Sequence, residues 1–296
     1  MPSATVRRLV ALTAALSALA ASGGATGVAH AATRKSTSTN WAGYAVSRAG
    51  VKYRRVSATW VQPTGTCTPG SQSFAAMWVG LGGYHSTSKA LEQIGTEADC
   101  SARGKISYSA WWELVPDAAK TIHLAVRPGD RMRASVTVDA GRVTLRLANT
   151  TAGTSFETTR TPSTVDLTSA EWIVEAPSAC FDAALTQCAV LPLTNFGSAT
   201  FANAKATSAG GYVGGIADAA HWSAVAISLT GTGGPGGRFG PEQVSGDVPA
   251  EAVPGDLTPS GTSFTVTYNA DAASNVNSDT PVPSVPPFFD RGAHRE

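Results

Sequence analysis

The chain has 296 residues, 22 of them basic and 21 acidic, with 43% apolar residues and a formal net charge of +1. A near-neutral chain without a basic stripe lacks the phosphate-neutralising surface that nucleic-acid binding requires, so that class is set aside. The length is enough to bury one sizeable core, as large β sandwiches do in a single domain.

The first 31 residues read as a cleavable secretory signal peptide. Arg7 and Arg8 precede an apolar run from Leu9 to about Ala21, and the small-residue pattern Ala29-His30-Ala31 follows, placing cleavage after Ala31. The run is interrupted by Thr13, Ser17, Ser22 and glycines before it reaches the ~20 apolar residues of a membrane span. Removing the signal takes two basic residues and leaves 20 against 21, a mature net charge of -1. The expected product is secreted, free of the membrane after cleavage, and monomeric.

Beyond the signal, Thr, Val, Ser, Ala and Gly dominate. Short alternating or β-branched stretches between turn residues predict strands over 52–61, 74–81, 106–114, 121–126, 131–138, 142–148, 155–159, 171–175, 199–202, 219–229 and 263–268. Turns such as Pro128-Gly129-Asp130 and Asp139-Ala140-Gly141 fall at hairpin spacing. Strands this numerous and regular predict an all-β fold of two packed antiparallel sheets. Four cysteines in an exported chain are expected to pair. Of the three possible pairings, Cys67–Cys100 and Cys180–Cys188 are favoured, the second closing a short loop and the first joining two early segments. With no CxxC and no histidine pair, no metal site is expected. From about residue 271 the chain turns polar and then Pro-rich, which reads as a loose tail.

Familiar signatures are absent or unconvincing. Gly231-Thr-Gly-Gly-Pro-Gly236 fits GxGxxG, but Pro235 and the glycines after it do not open a helix, so it reads as a loop. There is no GxSxG and no HExxH, and His85, His123, His221 and His294 are scattered. Asn149-Thr-Thr151 is a formal N-glycosylation acceptor without expected functional weight.

The informative feature is carboxylates and amides inside otherwise apolar strands. Strand parity puts Glu171, Ile173 and Glu175 on one face, and likewise Gln93, Gly95 and Glu97, and Ser109, Trp111 and Glu113. Trp78, Trp111, Trp112 and Trp172 cluster in the same strands, which favours a cleft over a solvated outer face.

These residues carry a resemblance. Asn40-Trp-Ala-Gly43, Trp78-Val-Gly80, Gln93-Ile-Gly95, Ala110-Trp-Trp-Glu113, Ala170-Glu-Trp-Ile-Val-Glu175 and Asn195-Phe-Gly-Ser-Ala-Thr-Phe201 resemble, in order and spacing, the glutamic peptidases, or eqolisins. The similarity spans about residues 38 to 268. It implies a concanavalin A-like sandwich of two bent antiparallel sheets over residues 38–270, after a short 32–37 segment and before the 271–296 tail, with the active site on a concave face. It also implies a secreted, acid-acting endopeptidase whose substrate is protein or peptide, with no cofactor and no metal. The catalytic pair falls on Gln93 and Glu175. Glu175 would take a proton from the attacking water and return it to the leaving amine, while Gln93 would donate to the oxyanion and orient the water.

Trp78, Glu97 and Glu113 are expected to bind substrate or to tune the pKa of Glu175. Burial beside tryptophans and the charges of Glu97 and Glu113 should push that pKa up from ~4.3. Glu97 stands where fungal members carry an aspartate, and Gly82 and Ser109 replace two further aspartates. Two other readings are a carbohydrate- or peptide-binding sandwich that does not cleave, and a glycan hydrolase using Glu113 and Glu175, which leaves Gln93 without a role. Only eight residues separate the cleavage site from Asn40, which leaves no room for a long inhibitory propeptide. Before export, neutral pH is expected to keep Glu175 ionised and unable to act as an acid.

Overall fold

The computed structural model describes residues 33–180, 188–231 and 249–272. The signal segment, residues 232–236 of the GxGxxG stretch, His294 and the Pro-rich run of the tail lie outside the described residues.

The described strands are β1 (Arg34–Ser38), β2 (Trp41–Ser47), β3 (Tyr53–Val61), β4 (Ser73–Gly82), β5 (Leu91–Cys100), β6 (Ile106–Val115), β7 (Lys120–Ile122), β8 (Arg131–Asp139) and β9 (Arg142–Asn149). They continue as β10 (Thr154–Arg160), β11 (Ser169–Glu175), β12 (Ser178–Cys180), β13 (Cys188–Val190), β14 (Ser198–Ser208), β15 (Val213–Gly214), β16 (Ser223–Leu229), β17 (Ala252–Pro254) and β18 (Phe264–Tyr268). The main path runs β10-β9-β8-β3-β14-β18-β17-β16-β2-β11-β4-β5-β6-β7. Its halves are hinged at β16–β17, where the register is the single pair Leu229–Ala252. The sheet doubles back there, so that β3 packs on β4 and β11 while β8 packs on β4 and β5. The result is the expected all-β sandwich of two antiparallel layers. β1, paired parallel to β16, departs from the antiparallel rule.

Period-two alternation explains the first layer. In β3, Val56, Ala58 and Trp60 point inward, and in β8 Met132, Ala134 and Val136 do the same, forming the core with Met77, Val79, Trp172 and Val174 of the second layer. Ser and Thr, with basic residues, fill the alternate positions. The central strands of the second layer obey a different rule. β2 is buried at every position, and β4 at all but its first. Both faces are covered, so alternation disappears from the sequence. That is why Trp41-Ala-Gly-Tyr-Ala-Val-Ser47 carries no strand signal, although it lies between β11 and β16.

Three expected strands change length by three residues or more. The 121–126 strand ends at Ile122, where Leu124 N–H turns back to the Ile122 carbonyl. The 219–229 strand begins at Ser223, because Asp218 accepts from the amides of His221 and Trp222 in a turn. The 199–202 strand extends to Ser208 through a bulge with Asn203 at φ 53°.

Cys67 and Cys100 are bonded, with Cα atoms 5.4 Å apart, tying the segment after β3 to the end of β5. Cys188 is also in a disulfide, and Cys180 is its register partner across β12–β13. Asn149 is 1% exposed and donates from Nδ2 to Ala125 O (3.0 Å) and Asp130 Oδ2 (2.7 Å). Both amide hydrogens are committed inside the fold, which removes this tripeptide as a glycan acceptor in the folded chain.

Candidate active site

The candidate residues lie on four neighbouring strands, β11, β4, β5 and β6, and the register sorts them into three rows. One row reads Trp41, Glu175, Ala76, Glu97, Ser109. The middle row is Gly43, Ile173, Trp78, Gly95, Trp111. The third is Ala45, Glu171, Gly80, Gln93, Glu113. All belong to the layer face that points away from the main core. Trp41, Ala45, Ala76, Trp78, Trp111 and Ile173 form a second apolar cluster there.

Glycine in the middle row lets this surface close up. A Cβ on Gly95 would lie 2.2 Å from the Met77 carbonyl oxygen, and one on Gly43 would lie 2.1 Å from that of Trp172. The room is taken by Trp78, which is fully buried and packs edge-on against Trp41 with ring centroids 4.9 Å apart. Its Nε1–H reaches the first row, donating 2.7 Å to Glu175 Oε2, while its benzo edge leans over Gly80 in the third.

Glu175 therefore sits at the end of β11 in an apolar, donor-rich corner. Asn40 Nδ2 donates to its Oε1 at 3.1 Å. Ser38 fixes that amide, since its Oγ donates to Asn40 Oδ1 (3.1 Å) and accepts from the backbone N–H groups of Asn40 and Trp41. Burial is the largest influence on Glu175 and pushes its pKa up to about 8. The Trp78 and Trp41 indole donors oppose this, and the charges of Glu113 and Glu97 add to it. The upward direction and its causes are those expected from sequence. The size overturns one expectation: at neutral pH the carboxyl keeps its proton, so neutrality does not strip Glu175 of its acid form. Desolvation by the tryptophans outweighs the donors that favour the anion.

Gln93, 4% exposed, donates from Nε2 to Glu113 Oε2 at 2.7 Å across the β5–β6 pair. Ser109 Oγ donates 2.8 Å to Glu97 Oε2, its own cross-strand partner. Ser109, which the resemblance sets against a family aspartate, is here a neutral donor to an acid. Gly82 has φ +80°, and a Cβ there would lie 2.5 Å from Asp166 Cβ, so no side chain fits. Asp166, which sequence reading passed over, occupies that space. It accepts from Ser88 Oγ and Gly83 N through Oδ2, and from Thr168 N and Oγ1 through Oδ1. Burial alone would raise its pKa, but these bonds outweigh it and hold the carboxyl below the usual range.

Gln93 and Glu175 share the face without a direct hydrogen bond. They stand two strands and two rows apart, with Trp78 between, and Glu113, bonded to Gln93, is close enough to act electrostatically on Glu175. Among the buried polar atoms of this face without a hydrogen-bond partner are Gln93 Oε1, an acceptor, and Trp111 Nε1, a donor. Asn40 and Trp41 were legible only as parts of a motif. Their contact with Glu175 depends on β2 lying beside β11, a pairing that local sequence does not encode.

Fold and site together define an all-β protein of two antiparallel layers with a buried glutamate, a glutamine and tryptophans on one sheet face. The chain belongs to the Peptidase A4 family, whose model matches residues 39–232. It is 36% identical over 149 residues to Aspergillopepsin-2 of Aspergillus niger, a stretch covering 47% of this chain and 48% of that protein, about half the length of each. Among solved structures it is similar to Scytalido-glutamic peptidase bound to a peptide-based transition state analog, with TM-score 0.58 and 22% identity over 78% of this chain and 98% of that one. It is also similar to SCP-B, a member of the Eqolisin family in complex with the tripeptide Ala-Ile-His, with TM-score 0.55, 22% identity and the same coverage. At that identity the structural likeness speaks for the fold.

Proposed function

We propose that the chain is a secreted, acid-acting glutamic endopeptidase in which residues 38–270 form the catalytic domain behind a signal peptide at 1–31. In this reading Glu175 and Gln93 are the catalytic residues. The observation that carries it is the setting of Glu175: a carboxyl in an apolar corner, held by Asn40 and Trp78 and facing two further acids.

Water attacks the scissile carbonyl while ionised Glu175 takes its proton. The C–N bond then breaks as the same proton passes to the leaving amine. A Gln amide has two N–H donors, so Gln93 can keep its bond to Glu113 and offer the second to the oxyanion. Its unpaired Oε1 is the acceptor that can orient the water, and Trp111 Nε1 is a donor available to a substrate carbonyl.

A raised pKa makes Glu175 a strong base but a scarce one. Protonating Glu113 and Glu97 in acid removes their like-charge contribution and lowers the pKa of Glu175, while burial, the larger cause, continues to hold it up.

The test is cleavage of a denatured protein by the purified mature chain between roughly pH 2 and 7, beside Glu175→Gln and Gln93→Ala. Wild type should cleave in acid. Each variant should lose roughly 10²–10⁴-fold in kcat while remaining folded. Equal activity, or equal inertness, of all three rejects the assignment.

A further inference from the structure

On the first layer, the face turned away from the main core carries a second polar site. Four neighbouring interior strands each contribute one cation to it: Lys205 from β14, Arg55 from β3, Arg133 from β8 and Arg146 from β9. The register gives them a definite arrangement. Ser57 and Ser135 are cross-strand partners at the centre, with Lys205 opposite Ser57 on one side and Arg146 opposite Ser135 on the other. Arg55 and Arg133 stand two residues along, one at either end, facing Thr137 and Thr59. The hydroxyl floor is thus ringed by positive charge, within a groove of about 710 Å³.

Arg133, Arg146 and Lys205 are exposed, while Arg55 is half-buried and donates 2.7 Å to Thr137 Oγ1. Burial lowers the Arg55 pKa first and the nearby charge of Arg146 lowers it further, so these cations share one field. Glu157, paired with Arg146 at 2.6 Å, is the one carboxylate among the described residues that line the groove. Four cations against one anion leave a local excess of +3 on a chain whose total is +1. No fold requirement explains this, since like charges on adjacent strands repel.

We propose that this groove binds an acidic polysaccharide, a linear glycan bearing carboxylates, at a site separate from the peptidase face. The charge selects an anion, and guanidinium forks match carboxylates in bidentate fashion. Lys205 and Arg146 share a row three strand spacings apart, about 14 Å at ~4.8 Å per strand, with Arg55 and Arg133 offset along the strands between them, so the ring is wide enough for a short run of sugar units. Ser57, Ser135 and Asn203 offer hydroxyl and amide groups suited to sugar hydroxyls. A peptide is a poorer occupant, because β3, β8 and β9 are paired on both edges and offer no backbone for strand addition. Phe156, the aromatic side chain among the groove's lining, packs partly buried against the core rather than standing as the exposed platform on which nucleobases stack.

The test is titration of the mature chain with oligogalacturonate, followed by calorimetry at low and high salt, beside a neutral malto-oligosaccharide and poly-glutamate. Oligogalacturonate should bind, weaken with salt and outcompete both controls. Arg133→Ala and Lys205→Ala should each weaken binding roughly tenfold, the loss of one charge-assisted contact, and leave peptide cleavage unchanged. Glu157→Gln, which removes the lone carboxylate, should tighten it. No binding of oligogalacturonate, equal binding of poly-glutamate, or variants indistinguishable from wild type would overturn the proposal. Because the readout is binding on the far layer, its failure leaves the peptidase reading standing, and loss of proteolysis alone leaves this one standing.

Discussion

At the scale of single residues, the carboxyl of Glu175 is governed by a contest between desolvation and donors. Trp78 Nε1 stabilises the anion at 2.7 Å. Trp78→Phe keeps most of the apolar bulk but deletes that donor, so the pKa should rise further. In the proposed mechanism the base must be ionised, so the acid limb of the kcat/KM profile should move to higher pH by about one unit, equivalent to about 1.4 kcal/mol. A limb that stays in place would mean that Glu175 is not the titrating base. Asn40→Ala should act in the same direction, and Ser38→Ala more weakly, since Ser38 only holds the Asn40 amide in place. Ser109→Asp would set a second carboxyl against Glu97 where a hydroxyl now donates. It should raise the pKa of one of the two acids and shift the pH profile without abolishing cleavage.

At the scale of elements, the active face depends on how closely β4, β5, β11 and β2 approach. Gly95→Ala drives a methyl into the Met77 carbonyl, backbone against backbone, with no flexible side chain to yield. The expected cost is about 3 kcal/mol, at the upper end for overpacking, read as a lowered melting temperature. Gly70→Ala provides the contrast. Unlike Gly95 it has a positive φ, +92°, but a Cβ there meets nothing within 4 Å, so only the backbone conformation is penalised and the loss should be smaller. Strands of the first layer were readable because one face is polar and the other apolar. β2 was not, because burial on both sides erases the period. The ends of β7, β14 and β16 were misplaced for another reason: turns and a bulge set them, and these arise from backbone hydrogen bonds to particular carbonyls.

At the scale of the whole molecule, several buried acids couple folding to pH. Burial raises Glu92 to about 9, Glu175 to about 8 and Glu251 to about 7, and holds Glu171 well above the ordinary range. Each is protonated in the native state at a pH where the unfolded chain has already ionised it. Their contribution is fully present below the unfolded pKa of ~4.5 and is lost as pH rises through the folded values. Asp166 works in the opposite sense, its lowered pKa adding stability above ~3.8 that disappears in stronger acid. Stability should therefore peak near pH 4–5 and decline towards pH 9. A melting temperature that rises between pH 5 and 8 would contradict this. Glu92→Gln should flatten the alkaline decline.

The sequence by itself determined the all-β class, the separation into short strands and the motifs that assign the family, because alternation and turn chemistry are local properties of the chain. It also placed Gln93, Glu97, Glu113 and Glu175 on consistent strand faces, since parity needs no knowledge of partners. Only the tertiary structure decided that Asn40, Trp41 and Trp78 serve Glu175, that Asp166 fills the space over Gly82, and that Arg55, Arg133, Arg146 and Lys205 ring one groove. Each of these depends on which strands become neighbours and in what register. That is settled by packing two layers around a common core, a non-local competition that no short stretch of sequence contains.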